Sequence, residues 1–148
     1  MIYSPSQRGY YGVGIYGTKT VANVGTLWRS AANMGAAFIF TVGRRFPRQT
    51  SDTLKAWKHV PYFEFDSFDE FRVPKDCVVV GVEQPGDPLP TFKHPERAIY
   101  LLGAEDHGIP PELLDRCQEV VEVPSGRCLN VAVAGSIVLY DRNAKAAS

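Results

Sequence analysis

Three short stretches hold the side chains whose types and spacing suit chemistry. The first is Asn23-Val-Gly25-Thr-Leu-Trp-Arg29. Gly25 and Arg29 stand one helical turn apart, so the absent side chain leaves room beside the guanidinium. A guanidinium so placed can grip a phosphate through two parallel N–H bonds. Locally, Asn23 as a helix cap and Arg29 as a surface cation remain open. The second stretch is Leu102-Gly103-Ala-Glu105-Asp106-His107-Gly108-Ile109-Pro110. Its glycines let the backbone turn sharply and come close to a ligand. Glu105 and Asp106 are adjacent and need not form an acid/base pair, and His107 reads as a solvent-facing loop residue ahead of a catalytic one. The third is Val123-Pro124-Ser125-Gly126-Arg127-Cys128-Leu129-Asn130, running into an apolar helix that Asn130 can cap. Cys128 lies near that helix start, without the histidine or asparagine pattern that accompanies a nucleophilic thiol.

Other signals are weaker than they look. Gly12-Val-Gly14-Ile-Tyr-Gly17 matches G-x-G-x-x-G, but its glycines fall inside a strand instead of opening a helix. Gly12 and Gly17 also have P-loop spacing, yet Thr18 separates Gly17 from Lys19. Close strand packing explains these glycines better than phosphate binding. Cys77, Cys117 and Cys128 form no CxxC pair and are odd in number, which argues for a reducing compartment and against a disulfide scaffold or zinc site.

The elements that must position these stretches follow from hydrophobic patterning. Strand-like runs recur at Val13–Tyr16, Ala37–Val42, Tyr62–Phe65, Val78–Val82, Ala98–Leu102 and Val120–Val123. Several are continuously apolar, as strands covered on both faces by helices must be. Val24, Leu27, Trp28, Ala31 and Ala32 form a helical stripe, preceded by Asn23 as a possible cap and followed by Gly35 as a possible stop. A short helix is expected from Pro110 or Pro111, and a last one over Asn130–Arg142, apolar nearly all round. Gly135 within it suggests close packing. Gln84–Pro95, with four prolines, reads as a surface loop. The class is α/β. If the strands run parallel, all three stretches emerge at one sheet edge, where ligands of open α/β sheets bind.

The 148 residues make one domain, 1–148, large enough to bury a core without staples. Sixteen basic and sixteen acidic residues cancel, so net charge carries no nucleic-acid signature. The charges are nevertheless segregated. Arg44, Arg45, Arg48, Lys55 and Lys58 face only Asp52, whereas Glu64–Asp76 is mostly acidic. No run has membrane-spanning or signal-peptide length, which, with the cysteine pattern, predicts a soluble cytoplasmic protein with no membrane partner and no metal.

Taken in order, the three stretches resemble the motifs of the SpoU (TrmH-like) branch of the SPOUT RNA methyltransferases across nearly the whole chain. Asn23-x-Gly25-x-x-x-Arg29 is similar to the first motif and Leu102-Gly103-x-Glu105-x-x-Gly108-Ile109 to the second. Val123-Pro124 with Leu129-Asn130-Val131-Ala132-Val133-Ala134 and Leu139-Tyr140 is similar to the third. The resemblance implies a parallel-sheet SPOUT fold with a C-terminal trefoil knot, a homodimer with a shared active site, and S-adenosylmethionine as cofactor. The implied reaction is methylation of an RNA ribose 2′-hydroxyl, with tRNA favoured and rRNA the alternative. Arg29 would be catalytic with Asn23 beside the ribose, Glu105 ordering the site and Asn130 positioning cofactor and substrate. Leu102, Gly103, Gly108, Val123, Pro124 and Leu129 would hold the cofactor; Arg29, Arg44, Arg45 and Arg48 would meet RNA. Where the family carries serine before Leu-Asn, this chain has Cys128. Two rivals remain: a non-catalytic RNA-binding module keeping the fold, and a nucleotide-binding enzyme, which would need a phosphate loop.

Overall fold

The structure is a computed structural model that describes residues 8–17, 21–43 and 60–147. Six parallel strands form one sheet: β1 (Tyr10–Tyr16), β2 (Phe38–Val42), β3 (Tyr62–Phe65), β4 (Val78–Pro88), β5 (Arg97–Leu102) and β6 (Glu119–Glu122). Their order is β3-β2-β1-β5-β4-β6. The continuously apolar runs of β1 and β5 lie at its centre and are buried on both faces, as their sequence requires. Among the described residues three α-helices follow strands: α1 (Val21–Met34), the short α2 (Pro111–Leu114) and α3 (Val131–Ala147).

One face of the sheet is covered by α1 and α3. Val24, Leu27, Trp28, Ala31 and Ala32, the stripe read from the sequence, are all buried there. Gly135 of α3 is also buried; a Cβ on it would press on Leu27 and Leu102, so the glycine lets α3 approach the sheet closely. The opposite face carries an aromatic cluster in which Phe40 and Phe71 stack at 4.4 Å. Gly12 and Gly14 pair in register with Phe38 and Phe40, and their missing side chains leave space for those rings. Close packing, not phosphate binding, accounts for the decoy glycines.

Three local expectations need correction. Asn23 does not cap α1, which begins two residues earlier at Val21, so its side chain is free for other contacts. Gln84–Pro95 is not a surface loop. β4 continues to Pro88, bulging between Val82 and Asp87 against β6, and a 3₁₀ turn follows at Leu89–Thr91. Prolines are tolerated at bulges because no ladder N–H is needed there. Leu89 and Phe92 then plug the core. The last helix also runs past Arg142, to Ala147.

A buried polar chain fixes the second half of α3. Arg142, 2% exposed, donates to the Tyr100 hydroxyl (3.0 Å) and to the carbonyls of Pro95 and Glu96. The Tyr100 hydroxyl meets His94 Nδ1 at 2.7 Å, and His94 Nε2 meets Asp141 at 2.8 Å. Because Arg142 occupies Tyr100 as an acceptor, the phenol proton points to Nδ1, leaving His94 neutral with Nε2–H donated to Asp141. Burial holds the His94 pKa below its ordinary 6.5 in spite of Asp141, and Tyr100 is pushed up to about 12 by the same desolvation.

Candidate active site

The loops after β5 and β6 and the bulge of β4 leave the sheet at one edge and enclose a cavity of 690 Å³. That size is typical of a small-molecule or cofactor site. Leu102, Gly103, Gly108, Val123 and Leu129 line it, as the sequence motifs anticipate, while Pro124 is exposed outside the lining.

The loop after β5 is built on its glycines. Ala104 and Gly108 exchange backbone hydrogen bonds (2.9 and 3.3 Å), folding Glu105-Asp106-His107 into a tight tip. Gly108 has φ +66°, and a Cβ on Gly103 would fall on the Gly108 backbone. The hairpin therefore closes only with glycine at both positions. His107 is exposed at the tip, beside Asp106.

Three predicted site residues, far apart in sequence, meet at the cavity mouth. Asn130 Oδ1 accepts the backbone N–H groups of Ala132 (2.9 Å) and Val133 (3.2 Å), capping α3. That fixes which end of the amide is oxygen, so Nδ2 must donate, and it does, to Asn23 Oδ1 at 2.8 Å. Asn23 Nδ2 in turn donates to Glu105 Oε1 at 2.9 Å. The orientation of both amides thus follows from one helix cap, and the relay ends on a carboxylate. Asn130 and Glu105 also line the cavity.

Arg29 lies on the same helix as Asn23, about 9 Å farther along the axis at 1.5 Å per residue. Its side chain is exposed, and among the described residues no hydrogen bond or ion pair joins it to the relay. Arg44, Arg45 and Arg48 lie outside the described residues.

Two residues at the cavity were not anticipated. Glu83 accepts the N–H of Gln84 on Oε1 (3.1 Å) and that of Ile109 on Oε2 (3.0 Å). Gln84 Nε2 donates to the Val123 carbonyl (3.1 Å) and meets Ser125 Oγ at 3.4 Å, while Cys128 Sγ approaches Gln84 Oε1 at 3.7 Å. The available signal was a polar pair ending a continuously apolar strand, Val78-Val-Val-Gly-Val-Glu83-Gln84, which the proline count masked. Among the described residues no group of three His, Cys, Asp or Glu side chains is placed to hold a metal ion. No described helix is long and apolar enough to cross a membrane.

Known proteins share this fold. The mouse tRNA (guanosine(18)-2′-O)-methyltransferase TARBP1 is 28% identical over 132 residues, 80% of this chain, which spans only 8% of that relative's length. The SpoU methyltransferase AviRb of Streptomyces viridochromogenes, solved with the cofactor AdoMet, superimposes with a TM-score of 0.83 at 22% identity, over 95% of this chain and 59% of AviRb. A protein solved in connection with 2-OH methylation of C/U34 on tRNA matches with a TM-score of 0.78 at 24% identity, over 90% of this chain and 94% of its own. Residues 12–140 match the model of the SpoU rRNA methylase family. With that span matched and the motif residues gathered at one sheet edge, the chain belongs to the SpoU methylase family.

Proposed function

We propose that this protein transfers a methyl group from S-adenosylmethionine to a ribose 2′-hydroxyl of RNA, with tRNA as the substrate class. The observation that carries the reading is the Asn130–Asn23–Glu105 relay at the mouth of a cofactor-sized cavity. The cavity suits S-adenosylmethionine: its lining mixes apolar side chains with carboxylates and backbone polar groups, and its glycine hairpin leaves backbone open to a ligand. AviRb was solved with that cofactor. When bound, S-adenosylmethionine supplies an activated methyl on a sulfonium.

The protein's own groups position and stabilise. Asn130 and Asn23, each with its amide direction set, hold polar groups of cofactor and ribose in a fixed frame, which removes orientational entropy from the barrier. Glu105 orders that frame. Arg29 stays protonated and is therefore no general base. It grips an RNA phosphate and stabilises negative charge developing on the 2′-oxygen, while the proton leaves to phosphate or water. Arg44, Arg45 and Arg48 bind the RNA backbone with salt-dependent affinity. Requiring a 2′-hydroxyl excludes DNA.

The same reading takes residues 1–148 as one domain with a C-terminal trefoil knot. It is supported by the path of the last segment, which returns from edge strand β6 to α1. On that path it contacts the Glu105 loop through Asn23 at one end and Leu89 and Phe92 through Lys145 at the other. It also takes the protein as a homodimer. Val133 (46% exposed), Ile137 (38%) and Tyr140 (63%) form an apolar stripe on α3, the helix packed against α1. Such a stripe is covered when a second copy packs on it, and Arg29 on the exposed face of α1 then serves a site shared between protomers.

Titration calorimetry of the full chain with S-adenosylmethionine tests the cofactor, with micromolar binding expected. Absence of heat under conditions where the chain is folded overturns the reading. Nucleoside mass spectrometry of RNA from cells with and without the protein then tests the reaction: one 2′-O-methylated nucleoside is expected to disappear.

A further inference from the structure

β4 lies between β5 and β6, the two strands whose following loops wall the cavity. Regular β4 pairing with β5 ends at Val82↔Leu102, and the next two residues, Glu83 and Gln84, stand level with both loops. Successive side chains of an extended strand point to opposite sides. Glu83 accordingly reaches the β5 loop, accepting the Ile109 N–H, and its carboxylate occupies the space where a Cβ on Gly108 would lie. Gln84 reaches the other way, to the Val123 carbonyl, Ser125 and Cys128 of the β6 loop.

We propose that the Glu83–Gln84 pair is a two-sided clamp that sets the separation of the two cofactor loops, making both residues positioning residues for cofactor binding. The proposal rests on the reading of the cavity as the S-adenosylmethionine site. The chemistry of each residue matches its side. Glu83 faces two backbone N–H donors, one per oxygen, which a carboxylate alone can satisfy together. Gln84 faces a carbonyl on one side of its amide and a thiol on the other, which requires a donor and an acceptor in one group. Exchanging the two chemistries leaves an unmatched polar contact on each side. Cys128, in the place where the family has serine, acts through the clamp as a weak donor to Gln84.

The test uses Glu83→Gln and Gln84→Ala in the full chain, with three readouts: S-adenosylmethionine affinity by calorimetry, thermal midpoint, and amide exchange in the ligand-free protein. In Glu83→Gln the side-chain NH₂ opposes one backbone N–H. We expect at least a tenfold loss of cofactor affinity, faster exchange of the 103–109 segment and a lowered thermal midpoint, with cofactor-free RNA affinity unchanged. In Gln84→Ala the fast exchange is expected at 123–128 instead, and this variant decides the matter should Glu83→Gln not fold. Wild-type affinity retained within twofold by the folded variants overturns the clamp. If the wild type itself binds no cofactor, the functional reading fails separately; the clamp is then judged by exchange alone, and unchanged exchange in both segments overturns it.

Discussion

In the proposed reaction, Arg29 and the Asn130–Asn23–Glu105 relay divide the chemistry between a charge that faces outward and a frame that faces the cavity. A guanidinium presents two parallel N–H donors and an ammonium does not, so the roles of Arg29 are testable by charge-conserving substitution. Arg29→Lys is expected to lower single-turnover methylation by about 100-fold, the usual cost of losing one preorganised donor to a developing oxyanion. S-adenosylmethionine affinity should be unchanged, and near-normal turnover would remove Arg29 from the reaction. The motif residues could be read from the sequence because their types and spacing are local. The relay could not, because Asn23 and Asn130 are separated by 107 positions and Asn23 and Glu105 by 82. Nor could the sequence tell that Asn23 sits inside α1 with its amide turned to the site, since a cap and a first-turn residue have the same composition.

Element by element, the apolar runs and stripes predicted the strands and helices well, since their burial depends on periodicity alone. The failure at Gln84–Pro95 has a definite cause. Proline density marks missing N–H donors, which a surface loop and an edge-facing bulge tolerate equally. The polar faces of elements were also hidden. The Arg142–Tyr100–His94–Asp141 chain ties α3 to β5, and nothing in the local sequence distinguishes these side chains from surface ones. Because burial lowers the His94 pKa, the unfolded chain takes up a proton on this residue before the folded one does. Stability contributed by neutral His94 is therefore complete above pH 6.5 and lost as pH falls below it. Urea unfolding at pH 8, 6 and 5 should show this decline, and His94→Gln should flatten it. A wild-type stability flat across that range would contradict the neutral assignment.

At the scale of the whole molecule, segregation of contacts on α3 is the informative feature. One side of the helix inserts Ala132, Val138 and Leu139 into the core, while Val133, Ile137 and Tyr140 stay on the surface. The sequence showed a helix apolar all round and so predicted two buried sides; the second side is the one the proposed dimer would cover. Ile137→Glu places a charge at the middle of that stripe, where a dimer would have to bury it unpaired. Sedimentation should give a wild-type dimer of the 16.4 kDa chain and a monomeric variant with unchanged thermal unfolding at low concentration. Methylation should fall with the dimer if the site is shared, and a monomeric wild type would refute the interface.

What the sequence determined by itself was the α/β class, the runs that become buried parallel strands, and the three motif stretches, because hydrophobic periodicity and glycine placement act over a few residues. Only the tertiary structure decided that β4 lies between β5 and β6, and hence that Glu83 and Gln84 reach both loops of the cavity. It alone decided that Asn130 orients Asn23, and Asn23 meets Glu105. These are contacts across strand order and crossover connections, and a hydrogen bond between residues brought together by topology leaves no local pattern to read.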